Sequence, residues 1–504
     1  MGNEYKPLPS ELLTQVQVLV GVADLCKASI DDKPFAICEG GILLISEEPD
    51  MRPADVTNVH NIAARESSGM VETFTLPKVE LIKLIGLSDS GANARLSEEE
   101  TNMARDVWNS LLYKAVHLNA SDIHIRLTID NSIVYYRVDG ILMHYEKIGK
   151  KQLDLAVNQF VNGANLSGFT GVLDMQDVID GTANNFKITS PKGESYFREL
   201  RLNVMPVHGG RKCVVRINSA DQGVRALSEY YYDQETEGFL RGEMEQLFGT
   251  ILVTGPTGSG KTNLLASLLV AAGDDRQTNT IEDPVEIKLP NIDQATVIHN
   301  NPKASYDHLL TAMLRQDPDV LSVGEIRSAL AAKKLFGFAR TGHLTLSTVH
   351  VNSATQAPER LLDMGVEFGE MKSTLSSVIG VRLIPLLCEK CKLDISETDI
   401  APEERRRLLT LTQDLNSLRF KSALGCPHCK NTGIVGRRSV IEYIKVSEDD
   451  YPYIEANNVR EWERHLRERG WLSMGDRARE IIKLGLADPF LTSKFVSGVY
   501  DVNQ

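Results

Sequence analysis

The sequence has no long apolar run, and its first residues do not have the pattern of an export signal. No stretch of the 504 residues approaches the 18 or so consecutive apolar residues that a transmembrane helix needs. The start of the chain, with Glu4 and Glu11, also lacks the basic-then-apolar order of a signal peptide. We therefore expect a cytoplasmic protein that reaches a membrane only peripherally, through partners.

An excess of basic charge is missing as well. Acidic residues outnumber basic ones by 68 to 55, which gives a formal net charge of −13. Proteins that grip nucleic acid present clustered Lys and Arg to the phosphates, because neutralising phosphates releases counterions. The excess of acidic residues therefore argues against direct nucleic-acid binding as the main task. A local basic channel is the alternative that the net charge does not exclude. The length is sufficient for three or four domains.

Cysteine is scarce, and the seven residues are an odd number. In a chain without export signals they fit reduced thiols and metal ligation better than a disulfide framework. Four of them form two CxxC pairs, Cys388 with Cys391 and Cys426 with Cys429, with 34 residues between the pairs. Four thiolates close a tetrahedral zinc site to catalysis, so the spacing predicts a structural Zn²⁺. Free or redox-active cysteines are the alternative, and His428 is not needed as a ligand.

Residues 250–262 contain a complete P-loop. An apolar strand, residues 251–254, leads through a glycine-rich turn into an apolar-periodic helix. Glycines let successive amides turn inward at a helix N-terminus, where a triphosphate such as ATP fits. Lys261 would meet the β- and γ-phosphates, and the Thr262 hydroxyl would bind Mg²⁺. The predicted nucleotide-binding residues are Gly255, Pro256, Thr257, Gly258, Ser259, Gly260, Lys261 and Thr262.

Two later strands end in carboxylates, and both are expected at the edge of a parallel sheet where ligands bind. Residues 320–323 are apolar and are followed by Gly324 and Glu325, which is a Walker B arrangement. Glu325 could orient and deprotonate the attacking water. Residues 278–286 form a strand that ends in Glu282 and Asp283, either of which could help to hold Mg²⁺ through water. The alternative is that each is a solvated carboxylate at a strand end.

Two histidines and two arginines remain ambiguous on spacing alone. His343 and His350 flank a buried strand, where a histidine is usually a structural hydrogen-bonding residue but could sense a γ-phosphate. Residues 197–207 and 212–217 form a predicted hairpin, which places Arg201 and Arg216 on adjacent strands without obvious acidic partners. Solvated strand charges are the default interpretation of these arginines.

The chain divides into six predicted regions. Residues 1–87, with 14 acidic and eight basic residues up to position 97, form an N-terminal docking module, and a polar linker covers residues 88–96. An α+β domain over residues 97–233 precedes a P-loop core over residues 234–385, where strands and helices alternate. A four-cysteine zinc subdomain then covers residues 386–436, and residues 437–504 are expected to be helical and exposed.

Together these segments resemble the secretion ATPase family, the hexameric motors of type II secretion and type IV pilus assembly. The resemblance runs from about residue 97 to 446, roughly 70% of the chain. Its motifs occur in family order: the P-loop, an aspartate box at 280–286, the Walker B segment at 314–327, a histidine box at 341–354, and the four cysteines followed by 431–437. Residues 120–124 and the hairpin that carries Arg201 and Arg216 resemble the domain that precedes the core in this family.

The resemblance implies an α/β fold with a RecA-like P-loop core, a preceding PAS-like α+β domain and an additional N-terminal module. It implies catalytic roles for Glu325, Lys261 and Glu282 in ATP hydrolysis. It also changes the interpretation of four residues, because the two arginines then reach nucleotide phosphates and the two histidines lie on the γ-phosphate side. Four positions depart from the family pattern and leave the subfamily open: Ser328, Ser353, Arg126 and Val381.

Cysteine pairs and an extra N-terminal module are typical of the assembly branch of this family and are lacking in its retraction motors. We therefore expect a homohexamer that works with an inner-membrane platform protein, for a type IV pilus, including the divergent IVb class, or a type II pseudopilus. Two alternatives stay open. A DNA-uptake or DNA-translocating ATPase would need a basic pore, and a nucleotide-gated scaffold without turnover would not need Glu325.

A first prediction concerns the acidic N-terminal module, which carries no catalytic constellation. A chain that starts near Ser97 should still form a ring and hydrolyse ATP but support little or no filament assembly in cells, because the docking surface is gone. Size-exclusion chromatography, phosphate release and filament counts measure the three properties. Normal filament assembly by the truncated chain would show that the docking surface lies elsewhere. Loss of hydrolysis would show that the N-terminal module is part of the catalytic unit.

Overall fold

The structure is a computed structural model of the chain. It describes residues 6–9, 12, 16, 18–19, 26, 34–47, 53–66, 70–78, 80–81, 84–85, 98–128, 132–163, 178–189, 195–218, 224–230, 233–298 and 301–501. The predicted linker at 88–96 lies outside these residues. Within the described ranges, no helix combines the length and the apolar character that crossing a membrane requires.

The N-terminal residues form a four-stranded sheet with its own core. Its elements are β1 (Lys6–Pro7), β2 (Phe35–Cys38), β3 (Ile42–Ser46), α1 (Pro53–Glu66) and β4 (Glu72–Leu76), with the strand order β1-β4-β3-β2. The strands β2 and β3 pair antiparallel, and Gly40 and Gly41 supply the positive φ angles of their turn. Ile37, Leu43 and Ala63 are fully buried in one apolar cluster between the strands and the helix.

A six-stranded sheet follows, with the order β7-β6-β5-β10-β9-β8. Its elements are α2 (Glu98–Leu118), β5 (Ala120–Thr128), β6 (Ser132–Val138), β7 (Ile141–Lys147), α3 (Lys150–Gly163), β8 (Ile179–Thr189), β9 (Ser195–Val207) and β10 (Gly210–Asn218). The predicted hairpin is confirmed, because β9 and β10 pair antiparallel. Trp108 stacks on Phe160 at 4.2 Å between ring centroids, which ties α2 to α3.

The P-loop strand lies inside a seven-stranded sheet with the order β13-β12-β14-β15-β11-β16-β17. The strands are parallel except for the last, which pairs antiparallel with β16. They are β11 (Gly249–Thr254), β12 (Thr278–Glu282), β13 (Asp293–Thr296), β14 (Val320–Val323), β15 (Leu344–Val349), β16 (Leu375–Leu387) and β17 (Ile434–Lys445). Their helices are α4 (Gln234–Met244), α5 (Lys261–Ala271), α6 (Tyr306–Met313), α7 (Ala329–Arg340), α8 (Ala357–Asp363) and α9 (Phe368–Lys372).

Both faces of this sheet are covered, which explains its continuous apolar strands. Successive side chains of a strand point to opposite faces. Ile251 and Val253 pack in one cluster with Leu268 of the P-loop helix, whereas Leu252 packs in the other with Phe336 of α7. A parallel sheet needs such cover on both sides, and all six residues of β11 are accordingly buried.

The last part of the chain is not the exposed helical region that the sequence predicts. The prediction of a helical region at 437–504 is wrong for residues 437–445, because β17 extends the sheet by pairing with β16. Trp462 and Ile482 are also buried, so the helices that follow complete the core. These helices are α11 (Tyr451–Glu455), α12 (Val459–Glu468), α13 (Met474–Lys483) and α14 (Pro489–Thr492), whereas α10 (Pro402–Leu411) lies between β16 and β17.

Candidate nucleotide site

The glycine-rich turn sits at the carboxyl end of β11 and opens directly into α5. Gly255 has φ of 152°, and a Cβ there would lie 2.3 Å from the Ser259 Oγ and 2.7 Å from the Val381 carbonyl oxygen. Gly260 caps the helix N-terminus with φ of 97°. No bulkier residue fits the first position without displacing backbone, so the turn is shaped by the glycines as the sequence predicts. Thr262, the predicted magnesium ligand, is exposed on the first turn of α5.

Lys261 is buried, and its ammonium group lies inside the turn. Its Nζ donates hydrogen bonds to the carbonyl oxygens of Gly255 at 2.8 Å and Pro256 at 3.0 Å. Burial lowers the pKa of the ammonium to about 8, the charge of Glu325 acts in the opposite direction, and that of Arg382 adds to the lowering. Burial and a neighbouring cation both disfavour the charged form of Lys261. An anionic group bound in the turn would stabilise that charged form.

His350 joins the lysine of the P-loop to the carboxylate of the Walker B strand. Its Nδ1 lies 3.4 Å from the Lys261 Nζ, and its Nε2 lies 3.2 Å from the Glu325 Oε1. A lysine ammonium only donates and a carboxylate only accepts. A ring that binds both neighbours accepts from the ammonium on Nδ1 and donates to the carboxylate from Nε2. The three side chains come from different elements that end at the same edge of the sheet.

Glu325 is also held from its other side by Arg327, a residue to which the sequence analysis assigns no role. Arg327 donates from Nε to the Glu325 Oε2 at 3.2 Å and from Nη1 to the Asp283 Oδ2 at 2.9 Å. Burial acts to lower the pKa of this guanidinium, but the two carboxylates raise it overall. The Tyr306 hydroxyl donates to the backbone oxygen of Glu325 at 3.2 Å. The carboxylate is thus fixed in direction rather than free in solvent.

Glu282 lies at the end of β12, next to the Walker B strand, but its carboxylate is engaged. Its Oε1 accepts hydrogen bonds from the Thr280 hydroxyl at 2.6 Å and from the Gln294 amide at 2.9 Å. The same amide nitrogen also donates to the Ile287 carbonyl at 2.9 Å. The aspartate box therefore supplies two carboxylates with different surroundings. Glu282 is tied to its own strand pair, and Asp283 faces Arg327.

The structure does not bring His343 to the P-loop of its own chain, so that part of the prediction is wrong here. His343 precedes β15, and its carbonyl accepts from the amide of Gly249, the first residue of the parallel strand β11. Its ring stacks on Phe338 at 4.2 Å, and its Nδ1 lies 3.0 Å from the Thr341 hydroxyl. It therefore occupies the structural role of a strand-end histidine, at the sheet edge opposite the P-loop.

In the six-stranded sheet, the two arginines do have acidic partners, contrary to the reading of the sequence. Arg216 pairs directly with Arg201 across β10 and β9 and with Asp122 across β10 and β5. Its Nε donates to the Asp122 Oδ1 at 3.0 Å, and the Arg201 Nε donates to the Glu199 Oε1 at 3.1 Å. Directly opposite residues share a face, so both guanidinium groups lie on one face of this sheet. The Arg216 side chain is 56% exposed and therefore available to a ligand.

The four cysteines of the two CxxC pairs converge, with all sulfurs within 4.8 Å of one another. The Sγ atoms of Cys388 and Cys426, and those of Cys391 and Cys429, are each 3.7 Å apart. A tetrahedral zinc ion with Zn–S bonds of about 2.3 Å separates its sulfurs by about 3.8 Å, so the residues fit this ion. Burial acts to raise the pKa of the Cys429 thiol, but the N–H groups of Cys426 and Gly433 bring it down to about 6.

The fold and the site define a P-loop nucleotide-binding protein with a Walker B carboxylate. The chain belongs to the family described as "Type II/IV secretion system protein", whose model matches residues 97–490. That range contains the P-loop, Glu325, both hairpin arginines and all four clustered cysteines.

Several named proteins are similar to the chain over 70% or more of its length. The type IV pilus assembly ATPase PilB of Thermus thermophilus is 32% identical over 70% of this chain and 38% of its own length. PilB of Pseudomonas aeruginosa is 34% identical over 72% of this chain and 63% of its own length. The type II secretion system ATPase E of Vibrio cholerae is 30% identical over 82% and 79%. The chain thus spans less than two thirds of either PilB protein.

Among solved structures, the Legionella pneumophila ATPase DotB has a similar fold. Its TM-score is 0.53 at 18% identity, and the alignment covers 77% of this chain and 94% of DotB. This similarity supports the mixed α/β fold of an ATPase.

The cysteine cluster generates a prediction about metal. Cys391→Ser and Cys426→Ser should each lose bound Zn²⁺ and lower the melting temperature, because the metal contributes folding free energy to residues 388–433. Elemental analysis of protein purified under reducing conditions, together with thermal melts, measures both effects. Cys213→Ala removes a buried thiol outside the cluster and should leave the zinc content unchanged. Wild-type protein without zinc would contradict a metal site here.

Proposed function

We propose that the chain hydrolyses ATP and that this turnover powers assembly of a type IV pilus or a type II secretion pseudopilus. The observation that carries the proposal is the contact series from Lys261 through His350 to Glu325 at the mouth of one P-loop. It joins a phosphate-binding lysine to a candidate general base. The similarity to PilB and to ATPase E supports the kind of work that this turnover serves.

Each residue at the site then has a role in hydrolysis. Lys261 and the amides of the turn hold the β- and γ-phosphates. The Thr262 hydroxyl would hold Mg²⁺, and the bound ion would neutralise charge on the phosphates. Glu325 orients the attacking water and accepts its proton, while Arg327 and His350 keep its two oxygens in place. Glu282 or Asp283 would help to hold the metal through water.

The hairpin arginines are the candidates for stabilising charge on the transferred phosphoryl group. Arg201 and Arg216 lie side by side on one face of their sheet, and Asp122 and Glu199 hold their guanidinium groups in fixed directions. Arginines presented in this way match phosphate oxygens in a bidentate manner. We assign to them the part of arginine fingers that act when the six-stranded sheet approaches a nucleotide.

At the level of the whole protein, the proposal includes a homohexameric ring, a RecA-like core and a PAS-like domain before it. The N-terminal module docks to an inner-membrane platform protein, so the chain works in the cytoplasm and peripherally at the membrane. Zinc holds the 386–436 subdomain, and no direct contact with nucleic acid is needed. The six domain boundaries predicted from the sequence belong to this proposal.

The first test separates phosphate binding from chemistry. Lys261→Ala should weaken ATP binding about ten- to a hundredfold and abolish turnover, because the lysine contacts phosphates in both the ground and the transition state. Glu325→Gln should bind ATP almost normally while kcat falls on the order of 10²–10⁴-fold, which is the range for a general base. Titration with a fluorescent ATP analogue and a phosphate-release assay measure the two quantities.

Exposed positions supply matched controls for these variants. Lys303→Ala and Glu403→Gln remove the same charges away from the site and should change neither binding nor kcat. Equal losses of nucleotide affinity in Lys261→Ala and Glu325→Gln would contradict the two assigned roles. Wild-type protein that binds ATP without releasing phosphate would instead indicate a nucleotide-gated scaffold.

A second test addresses the arginines. Arg201→Ala and Arg216→Ala should each lower kcat on the order of 10³-fold with a smaller effect on ATP affinity, because the contact matters chiefly in the transition state. Arg198→Ala is the matched control, since position 198 lies on β9 but three residues away and therefore on the opposite face. Near-normal turnover in both variants would show that the two arginines take no part in hydrolysis.

A further inference from the structure

Two charged side chains, one on β16 and one on β17, bind backbone atoms of the segment that carries His350. We call residues 350–356, which follow β15, the His350 loop. Arg382 of β16 donates from Nη2 to the Asn352 carbonyl oxygen at 2.7 Å. Glu442 of β17 accepts the Ala354 amide hydrogen on Oε1 at 2.6 Å. One charged group thus binds a carbonyl of the loop and the other an amide.

Glu442 occupies a site that is built for a carboxylate. It is 1% exposed, and its Oε2 accepts the amide hydrogen of Met474, the first residue of α13, at 2.7 Å. Gly380 is directly opposite on β16, and a Cβ at that position would lie 2.6 Å from the Glu442 Oε1. Burial raises the pKa of this carboxyl, while the two amides and the charge of Arg382 act against the rise.

Arg382 reaches the loop because of the alternation along β16. The carbonyl oxygen of its neighbour Val381 lies 2.7 Å from the position that a Cβ on Gly255 would occupy. The side chain of Leu383 lies 3.4 Å from the position of a Cβ on Gly260. These two residues form the wall behind the P-loop turn. The side chain between them points to the opposite face of the strand, where Asn352 lies. Arg382 is only 9% exposed, and burial lowers its pKa against the charge of Glu442.

Two buried charges are a costly way to hold a loop. Ionised groups removed from water lose several kcal/mol of solvation, and apolar packing of similar volume is often as stable. Packing alone would therefore not require Arg382 and Glu442. The two charged groups fix the orientation of the loop that carries His350, because Arg382 donates to one backbone carbonyl of the loop and Glu442 accepts from one backbone amide.

We propose that Arg382 and Glu442 are positioning residues, which hold the His350 loop so that His350 contacts Lys261 and Glu325 together. The inference deepens the proposed ATPase function and rests on it for its kinetic consequences. Both residues bind backbone atoms of the loop, so their effect on the site is transmitted through the imidazole. Because Glu442 also binds the first amide of α13, the C-terminal helices share the same anchor as the loop.

The main experiment uses the full chain and the variant Glu442→Gln. An amide side chain can accept only one of the two backbone hydrogens, so the loop or α13 loses its bond and Arg382 loses its counter-charge. We expect kcat to fall about ten- to a hundredfold, the scale for a catalytic group displaced by about 1 Å. The dissociation constant for a fluorescent ATP analogue should stay within about threefold, because Lys261 keeps its bonds to the turn.

Asp488→Asn is the matched control. Asp488 is buried and, like Glu442, accepts one backbone amide hydrogen on each carboxylate oxygen, from Leu491 at 2.7 Å and from Lys421 at 2.8 Å. It should lower the melting temperature and leave kcat unchanged. If Glu442→Gln fails to fold, the same measurements on Arg382→Lys test the proposal. This variant keeps the positive charge but loses the planar guanidinium group that binds Asn352. Unchanged kcat in the folded variant, or a parallel loss of nucleotide affinity, would overturn the proposal.

The route through His350 is tested by a double mutant. In a His350→Ala background, Glu442→Gln should lower kcat less than about twofold further, because residues that act as a unit are not additive. Additive losses would show that Glu442 acts by another route and would overturn the assignment.

Hydrogen exchange of residues 350–356 gives a readout that does not depend on turnover. Glu442→Gln should speed exchange in this segment, and Asp488→Asn, whose carboxylate binds the amides of Lys421 and Leu491, should not. If the wild type does not hydrolyse ATP, the proposed function fails, and the exchange result alone then decides whether the two charges hold the loop. Unchanged exchange in Glu442→Gln would refute that hold.

Discussion

The direction of the parallel strands determines where every group of the nucleotide site can lie. The P-loop strand β11 is hydrogen-bonded on both sides, to β15 and β16, and it cannot shift without breaking both ladders. The carboxyl ends of β11, β14 and β15 therefore meet at one edge, which brings Lys261, Glu325 and His350 together. The turn of glycines, the helix that follows it and the wall of β16 behind it all depend on this one arrangement.

Much of this edge could be predicted from the sequence, because the signals are local. The glycine spacing around Gly255, the apolar strand before Glu325 and the two CxxC pairs each carry their chemistry within a few residues. His343 shows where local reasoning fails. It shares a motif with His350, but the six residues of β15 lie between them, which separates them by about 20 Å along an extended strand.

Contacts between residues far apart in the sequence could not be predicted, for a different reason. Glu442 binds the amide of Ala354, 88 positions earlier, and Asp122 binds Arg216 across 94 positions. No spacing rule connects such residues, since strand order and register decide which of them meet. Strand pairing also decides the conformation of residues 437–445, for which the sequence pattern predicts a helix. Their strand conformation depends on pairing with β16, and tertiary contacts commonly override local preference in this way.

The strand pair β16 and β17 joins the two sites that the motifs suggested separately. The cysteines lie at the mouth of this hairpin, where Leu387 pairs with Ile434 and the amide of Cys388 donates to the Gly433 carbonyl. Further along the same ladder, Gly380 faces Glu442. Because a register slip by one residue turns every side chain to the other face, closure of the mouth helps to fix which side of the sheet Glu442 enters. A metal ion bound by the four cysteines would thereby influence the nucleotide site through the β16–β17 ladder.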